Sequence, residues 1–485
     1  MEYTTTTNRF LKLMVISLLV LTDLKAQENT GFTPSGNLWG LVFGDYAFKV
    51  HNDTLQRGGG NVQYKGFNGG SVTSPSSSPS NSSALNSNGA AGSIPANNQE
   101  NGFAIRRFYL GYDYKFAPGF SASAILANEQ NTDASGKNTV YLKYAFLKWA
   151  NIFKNSDLVL GQYQTCSFAS PYGPDPIWSY RAVERTLMDM HNIDASTDLG
   201  ASLQGKLWVN KKSPDTLNPT FFGYALQIGN NNSAADNASN FKKGRLNIYG
   251  TFLRDKLTLG LYGDYLVTNN ASDKAATSNT TLKVYGGFKN DRFSIGGEVF
   301  QQVNKNSDIY KVSTNGVVEK NGVNDTITGL QFGWTLFGTA RIIRNKLNVF
   351  FRYDFYNPDT RFKPNDIYSR AYNGILPVSG QLTPAESGTS LPVVSATNYT
   401  YTAATFYTQH FITTGLDWTP HGRFHIIPNV WYDGYSSLQT SYTSANGVVT
   451  EYGSRVKKDY DLVYRVTFSF IFNSSKKVFA NGWND

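Results

Sequence analysis

One stretch near the end of the sequence, Tyr460 to Asn473, constrains the fold more than any other feature. Every second residue from Leu462 to Phe472 is large and apolar, and the residues between them are mostly polar. A β-strand sends successive side chains to opposite faces, so this stretch predicts a strand with one apolar face and one polar face. The apolar face must be covered either by a protein core or by lipid.

The same alternation recurs after residue 36, in segments of roughly ten residues separated by connections. The sequence predicts sixteen such strands. They begin near Asn37, Phe103, Gly119, Val140, Asp157, Leu199, Phe221, Arg245, Leu257, Thr281, Phe293, Ile327, Leu347, Tyr407, Phe424 and Tyr460.

The connections between these segments alternate between short and long. The shortest are Ala117–Gly119, Arg254–Lys256, Lys289–Arg292, Ile343–Lys346 and Thr419–Arg423. The long ones are His51–Gly102, Asn128–Asn138, Ser170–Asp198, Asn230–Lys243, Thr268–Asn279, Val303–Asp325, Asn357–Thr402 and Ser436–Lys458.

This sorting is typical of outer-membrane barrels, in which short turns face the periplasm and long loops face outward. Lipid can cover the apolar faces if the sheet closes and leaves no backbone edge. We therefore predict an all-β protein, a transmembrane antiparallel β-barrel of about 16 strands with long extracellular loops. The alternative is a secreted β-sandwich, in which Tyr460–Asn473 would be an edge strand. The first long loop, about residues 52–102, is low in complexity and rich in Ser, Asn and Gly.

The N-terminus is typical of an export signal. Arg9 and Lys12 precede the apolar run Leu13–Leu21, which is too short to cross a membrane as a helix. We predict a signal peptide over residues 1–26 and a barrel domain over 27–485. The alternative is a buried N-terminal helix.

Charge and cysteine content exclude other classes. The 44 basic and 35 acidic residues are spread along the chain, which argues against nucleic-acid binding. The single cysteine, Cys166, excludes an intrachain disulfide framework. The sequence contains no phosphate-cradling loop and no zinc motif, so we expect no cofactor and no metal site.

The third long loop, about residues 170–198, differs from the others because it predicts a short helix from about Ile177 to Met190. Arg181 and Arg185 are four residues apart and would lie on one side of that helix. If the loop folds into the barrel, both arginines could contact anions at a pore constriction. The alternative is that they form ordinary helix salt bridges, Arg181 with Glu184 or Arg185 with Asp189.

Strand alternation also predicts which charged side chains line the lumen. The basic ones are Arg107, Lys143, Lys206, Arg245, Lys283, Arg352 and Arg465, together with Lys115 and Arg341. The acidic ones are Asp113, Asp264, Glu298, Asp354, Asp417 and Asp433. The excess of bases predicts a modest preference for anions, unless paired charges cancel it.

The sequence resembles the phosphate-selective porin O/P family of Gram-negative outer-membrane porins. The resemblance rests on RRFYLGYDYKF (106–116), VYLKYAFLKW (140–149), LVLGQY (158–163), the stretch SYRAVERTLMDMHNIDASTDLGASLQGKL (179–207) and the C-terminal strand. It implies a sixteen-stranded barrel, a homotrimer, a third loop folded into the pore, and passive diffusion of small anions or other hydrophilic solutes. It places Arg181 and Arg185 in the constriction-loop region. The arginine ladder and lysine cluster of phosphate channels are not identifiable, so dedicated phosphate sites are not carried over.

Two other functions fit a barrel of this kind. An enzyme would need a catalytic group, and the five histidines suggest only weak fragments, such as His191 beside Asp189 or the pair His421 and His425. We expect these histidines at the surface and no enzymatic activity. An adhesin or structural barrel would have a filled lumen and carry no ion current.

Overall fold

The computed structural model describes residues 32–51, 101–129, 138–167, 180, 182–191, 193–209, 221–231, 242–268, 277–305, 309–314, 317–318, 328–357, 359–361, 367–370, 378–379, 399–402, 406–439, 441–445, 448–449 and 454–472. The predicted signal peptide, most of the low-complexity loop and the tail after Phe472 lie outside these residues. In the part of the chain that is described, no helix is long and apolar enough to cross a membrane.

Sixteen strands form one closed antiparallel barrel, as the sequence predicts. They are β1 (Ser35–His51), β2 (Asn101–Ala117), β3 (Phe120–Asn128), β4 (Tyr141–Phe153), β5 (Ser156–Gln164), β6 (Thr197–Val209), β7 (Phe221–Gly229), β8 (Lys243–Phe252), β9 (Leu257–Thr268), β10 (Thr277–Lys289), β11 (Phe293–Lys305), β14 (Gly329–Ile343), β15 (Leu347–Asn357), β19 (Phe406–His421), β20 (Phe424–Gln439) and β23 (Ser454–Phe472).

The barrel closes between its first and last strands. β1 pairs with β23 from Gly40 opposite Phe472 to His51 opposite Leu462. Closure leaves no unpaired strand edge in the barrel, which is the condition for a sheet to be stable in lipid. All strands but the last begin within four residues of their predicted starts. β23 begins six residues before Tyr460.

The alternation of faces is also confirmed. In β23, Tyr464, Val466 and Phe470 are exposed on the outside, whereas Arg465 and Thr467 are buried inside. The outside of the barrel carries large apolar side chains that no protein element covers. Leu226, Ile228 and Leu261 are each more than half exposed.

Aromatic side chains flank this apolar belt at both ends. At the short-turn end, stacked or tilted rings run from Tyr112 through Tyr114, Phe116 and Phe120 to Trp149, with centroids 5.2–6.4 Å apart. At the long-loop end, rings pair as Trp334 with Tyr353, Phe355 with His410, and Tyr432 with Tyr460. Two aromatic girdles around an apolar band are characteristic of membrane-spanning barrels.

The short turns lie where the sequence predicts them. Asn155 and Asn345 adopt left-handed backbone conformations in the turns before β5 and β15, with φ of 61° and 56°. Asparagine tolerates this region better than most residues, which suits it to tight turns.

The long connections contain a feature that the sequence analysis missed. Seven short strands within them pair into a second sheet in the order β16-β12-β13-β22-β21-β18-β17. They are β12 (Ile309–Thr314), β13 (Val317–Val318), β16 (Ile367–Arg370), β17 (Val378–Ser379), β18 (Tyr399–Thr402), β21 (Ser441–Ala445) and β22 (Val448–Val449). These segments are too short to show alternation, and their partners lie in other loops, so no local pattern identifies them.

Candidate functional site

The connection between β5 and β6, residues 165–196, is described at 165–167, 180, 182–191 and 193–196, and we call it the inner loop. Its described residues lie inside the barrel. The helix described among them, α1, covers Leu187–Met190, and all four of its residues are buried. The predicted helix from about Ile177 is therefore too long, because residues 182–186 form a turn and an extended segment. Wall contacts to the backbone carbonyls of this segment replace the hydrogen bonds of a helix.

The two arginines of the predicted constriction have different outcomes. Arg181 lies outside the described residues. Arg185 is buried and places Nη1 3.2 Å from Oδ1 of Asp189, so the alternative of a salt bridge is confirmed for this residue. Thr186 is the N-cap of α1, so Arg185 lies just before the helix and not on its face. The predicted shared helix face of the two arginines is therefore wrong.

Asp194 anchors one end of the inner loop to β8 and β9. Its carboxylate accepts hydrogen bonds from Arg245 Nη2 at 2.8 Å, from Lys243 Nζ at 2.9 Å and from the Tyr262 hydroxyl at 3.1 Å. Arg245 also donates from Nη1 to Asp198 at 2.6 Å. We call this group of contacts the Asp194 clamp. The two cations and the hydroxyl offset the cost of burying the Asp194 carboxylate, and loss of the carboxylate would leave buried positive charges less well compensated.

Val183 is held on another part of the wall. Arg106 on β2 donates from Nη1 to the Val183 carbonyl at 2.9 Å and from Nη2 to the Ala182 carbonyl. Arg465 on β23 donates from Nη2 to the same Val183 carbonyl at 3.0 Å. The carboxylate of Asp45 on β1 pairs with both guanidinium groups. We call this group the Val183 clamp.

The two clamps are on opposite sides of the barrel. In the order of the strands around the ring, β8 and β9 face β1, with β23 and β2 as the neighbours of β1. The inner loop therefore crosses the lumen from one wall to the other. This placement requires the closed barrel, because the clamped residues are far apart in sequence.

Further contacts hold the inner loop to β15 and β19. Arg352 donates to the Arg185 carbonyl, and the Tyr180 ring stacks on Phe350 with centroids 4.4 Å apart. The Tyr180 hydroxyl donates to Asp417 at 3.2 Å. These contacts make the middle of the loop part of a buried apolar cluster that includes Val183.

His191 ends α1 and stacks on Tyr356, with ring centroids 3.5 Å apart. Burial, together with the positive charges of Arg185 and Arg352, lowers the pKa of His191 to about 3. The imidazole is therefore neutral in this position at physiological pH. Its protonation would destabilise the inner loop in its position across the lumen, which we call the seated loop.

Burial also shifts two other groups of the inner loop. It raises the pKa of the Cys166 thiol to about 12. It raises the pKa of Glu184 above the usual range of a carboxyl, although Arg185 and Arg106 partly offset this effect. Neither side chain is exposed to solvent in this arrangement.

The predicted basic residues of the wall do face inward, but most are engaged. Arg107 and Lys143 lie 3.9 Å and 2.7 Å from the Glu129 carboxylate, and Lys283 pairs with Glu298 at 2.9 Å. Arg245, Arg352 and Arg465 hold the inner loop, as described above. Lys206 is half-buried above the Phe221 ring, 4.2 Å from its centroid.

The sign of the interior charge differs from the sequence estimate. Among the buried side chains that the structure describes, acidic residues outnumber basic ones. The predicted excess of bases omitted Asp194 of the inner loop, Asp198 at the start of β6 and Asp45 on β1.

A second basic feature lies at the short-turn end of the barrel, and we call it the turn rim. Its exposed basic residues are Lys115, Lys154, Arg254, Lys256, Lys289, Arg292, Arg341, Arg344, Lys346 and Arg423. The exposed acids in the described turns at this end are Asp255 and Asp291. Of these rim residues, the sequence analysis considered Lys115 and Arg341 and predicted that they line the lumen. The turn rim could have been predicted from the excess of basic residues in the short connections.

One predicted surface histidine is buried. His425 places Nδ1 2.8 Å from the Asp417 carboxylate and 3.2 Å from the Thr419 hydroxyl. Because Asp417 also accepts from Tyr180, the pair supports the inner loop. The expectation of a surface position is therefore wrong for His425, since its strand turns it inward.

Comparison with known proteins gives matches among solved structures alone. No family model matches the sequence, and no curated protein matches it. The fold is similar to the outer-membrane expressed OmpT of Vibrio cholerae, at 9% identity and a TM-score of 0.45, over 92% of this chain and 99% of that chain.

Two further structures resemble this chain at a similar level. The outer membrane channel DcaP of Acinetobacter baumannii matches at 13% identity and a TM-score of 0.43, over 92% of this chain and 100% of that chain. An anion-selective porin from Comamonas acidovorans matches at 11% identity and a TM-score of 0.44, over 91% and 100%. Similarities of this size carry no argument about function.

Proposed function

We propose that this chain is an outer-membrane channel for the passive diffusion of small hydrophilic solutes, with a preference for small anions. The observation that carries the proposal is a closed barrel with an uncovered apolar outside, charged inward-facing residues and a loop across its lumen. Such a barrel suits a bilayer because each strand pairs with a neighbour on both sides around the whole ring and lipid can cover the apolar belt. Neither a cofactor nor a catalytic step is part of this function.

The arrangement of turns and loops supports an orientation. Short turns face the periplasm in barrels of this class, so the turn rim would lie at the periplasmic mouth. The long connections, including the second sheet, would then face outward. Export would use the signal peptide predicted over residues 1–26. The homotrimer implied by the family resemblance stays a prediction.

The anion preference rests on the turn rim and not on the buried wall. Buried bases of the wall are paired with carboxylates or bound to loop carbonyls, so their fields largely cancel. The exposed rim charges have few acidic neighbours and would raise the local concentration of anions at the mouth. This effect weakens as salt screens it, over roughly 8 Å at physiological ionic strength.

The test is the reversal potential of the refolded protein in a planar bilayer under a potassium chloride gradient. We expect a potential on the anion-selective side. Replacing Lys289, Arg292, Arg341 and Arg344 with Gln should reduce the preference. A matched control replaces four exposed bases at the other end, Lys242, Lys305, Arg361 and Lys458, and should change it less.

Each result has a clear meaning. An equal loss of anion preference in both variants would show that the turn rim is not its specific cause. A stable current without any preference would leave a general channel for hydrophilic solutes and overturn the anion preference.

One observation favours a second function. The inner loop and inward aromatic residues bury one another, so that Val183, Trp431 and Tyr249 belong to a single buried cluster. A filled lumen is what a non-conducting adhesin or structural barrel would have. The absence of current from protein that is folded, judged by its heat-dependent gel mobility, would support this reading and overturn the channel.

A further inference from the structure

We propose that Arg106 is the residue that sets the cross-section of the channel, with Arg465 as its partner. By holding the Val183 carbonyl, the two arginines keep this part of the inner loop against β1, β2 and β23. Both are positioning residues, since they act through the loop and need not touch the solute. This inference rests on the proposed channel function.

The Val183 clamp has the geometry of a rigid support. Arg465 lies flat on Trp431, with Cζ 3.3 Å from the ring centroid, and donates twice to Asn429 Oδ1 at 3.0 Å and 2.8 Å. Arg106 is 2% exposed and Arg465 is 3% exposed. An arginine fork fixed by a carboxylate, an amide and an aromatic ring has little freedom, so its remaining donors point in one direction. They point at the loop.

A β-bulge explains why Arg106 is available for this role. Strict alternation would put Arg107 inside and Arg106 outside, facing lipid. The pairing of β1 with β2 shifts between Phe43, opposite Arg107, and Gly44, opposite Ile105, so Arg106 is the extra residue. Both arginines are buried as a result. Bulges commonly redirect a side chain in this way.

Arg106 and Arg107 contact different parts of the molecule. Arg107 faces Glu129, which Lys143 also contacts, and it interacts electrostatically with the carboxylates of Asp189 and Glu184 in the inner loop. Arg106 faces two loop carbonyls. The Asp194 clamp holds the opposite side of the loop, so loss of Arg106, which makes two of the three described hydrogen bonds of the Val183 clamp to the loop, would weaken one side and leave the other attached. The loop would then lie farther from β1, β2 and β23, and the passage along those strands would widen.

The experiment compares Arg106→Gln with Arg107→Gln in single-channel recordings. The two variants are matched, because each leaves its carboxylate with another cation, Asp45 with Arg465 and Glu129 with Lys143. We expect the conductance of Arg106→Gln to rise by about twofold or more and that of Arg107→Gln to change less, because Arg106 alone of the two is seen to donate to the Ala182 and Val183 carbonyls. Equal conductance in wild type and Arg106→Gln would overturn the proposal.

A second readout does not need current. Val183 is fully buried, so a Val183→Cys substitution in a Cys166→Ser background should react slowly with a charged thiol reagent. Adding Arg106→Gln should accelerate the reaction at least tenfold, and adding Arg106→Lys, which keeps the charge beside Asp45, should accelerate it less. Unchanged labelling would overturn the proposal.

The combination of readouts separates the two proposals. Faster labelling without current in any variant would remove the channel function and leave Arg106 as the residue that seats the loop. If Arg106→Gln does not fold, Arg465→Gln serves in its place, since Arg106 then remains paired with Asp45. Unchanged conductance and labelling in that variant would likewise overturn the inference.

Discussion

Asp194 provides a measure of how firmly the inner loop is held, because one substitution removes its charge without changing its size. Asp194→Asn weakens contacts with Arg245, Lys243 and Tyr262. Loss of a partner from a buried ion pair costs 3–5 kcal/mol when a charge is left uncompensated. Here Arg245 keeps Asp198 as a partner at 2.6 Å, so we take the lower limit, about 3 kcal/mol. That corresponds to a roughly 100-fold increase in the opening of the loop.

Cys166 is a built-in reporter of this opening. It is the sole cysteine of the chain and lies at the start of the inner loop, 4% exposed. Its backbone N–H donates to Gln227 Oε1 at 2.9 Å, and its carbonyl accepts from Asn247 Nδ2 at 3.0 Å. Burial raises the thiol pKa to about 12, so the seated form reacts very slowly with maleimide. The labelling rate of the folded protein therefore reports how often the loop leaves the wall.

The expected result is labelling of Asp194→Asn about 100-fold faster than wild type at neutral pH, measured by gel shift with a maleimide-coupled polymer. Asp264→Asn is the control, because Asp264 also contacts Lys243 and Tyr262, at 3.0 Å and 2.8 Å, but belongs to the wall. The control should label more slowly than Asp194→Asn. Rates within about threefold of wild type for Asp194→Asn would refute the reasoning, because the clamp would then contribute less than 1 kcal/mol.

Three further predictions follow from other residues. Because the pKa of His191 is lowered to about 3 in this position, the inner loop should open more often as pH falls below the ordinary histidine pKa near 6.5. Since the thiolate itself becomes rarer at low pH, the labelling rate is divided by that of the urea-unfolded protein at the same pH. This ratio should be about tenfold higher at pH 5 than at pH 7.5 after allowance for partial exposure, and His191→Gln should abolish the difference. Gly161→Ala should lower the free energy of unfolding of the barrel in urea by about 1–3 kcal/mol. The reason is that Gly161 has a φ of 119° and its added methyl would meet a neighbouring carbonyl. Gly244→Ala is the control and should be nearly neutral, because the space around Gly244 is open. Replacing Arg181 and Arg185 together with Ala should change ion selectivity if the predicted constriction role holds, and an unchanged reversal potential would exclude that role.

The barrel could be predicted from the sequence pattern. A side-chain period of two over sixteen segments, with sorted short and long connections, leaves few other ways to cover the apolar faces. Residues such as Tyr464 and Arg465 could be assigned to the outside and the inside from alternation alone. The inward folding of the third loop and a short helix within it were also predictable, because Leu187 and Met190 required an apolar wall.

The contacts that the charged residues make could be read only from the tertiary structure. Alternation placed Arg465 and Arg245 inside, but it could not show that they bind the inner loop. The partners of these arginines are distant in sequence; Arg465, for example, contacts Asp45, which is 420 residues away. Alternation would place Arg106 on the lipid face, because a bulge depends on how two strands pair and not on either strand alone. The charge pattern of a closed barrel depends on which strands become neighbours and on the path of the loop between them. Strand neighbours and the path of the loop are known only once the barrel is closed. They explain why several basic residues that were predicted to line the lumen instead bind the inner loop.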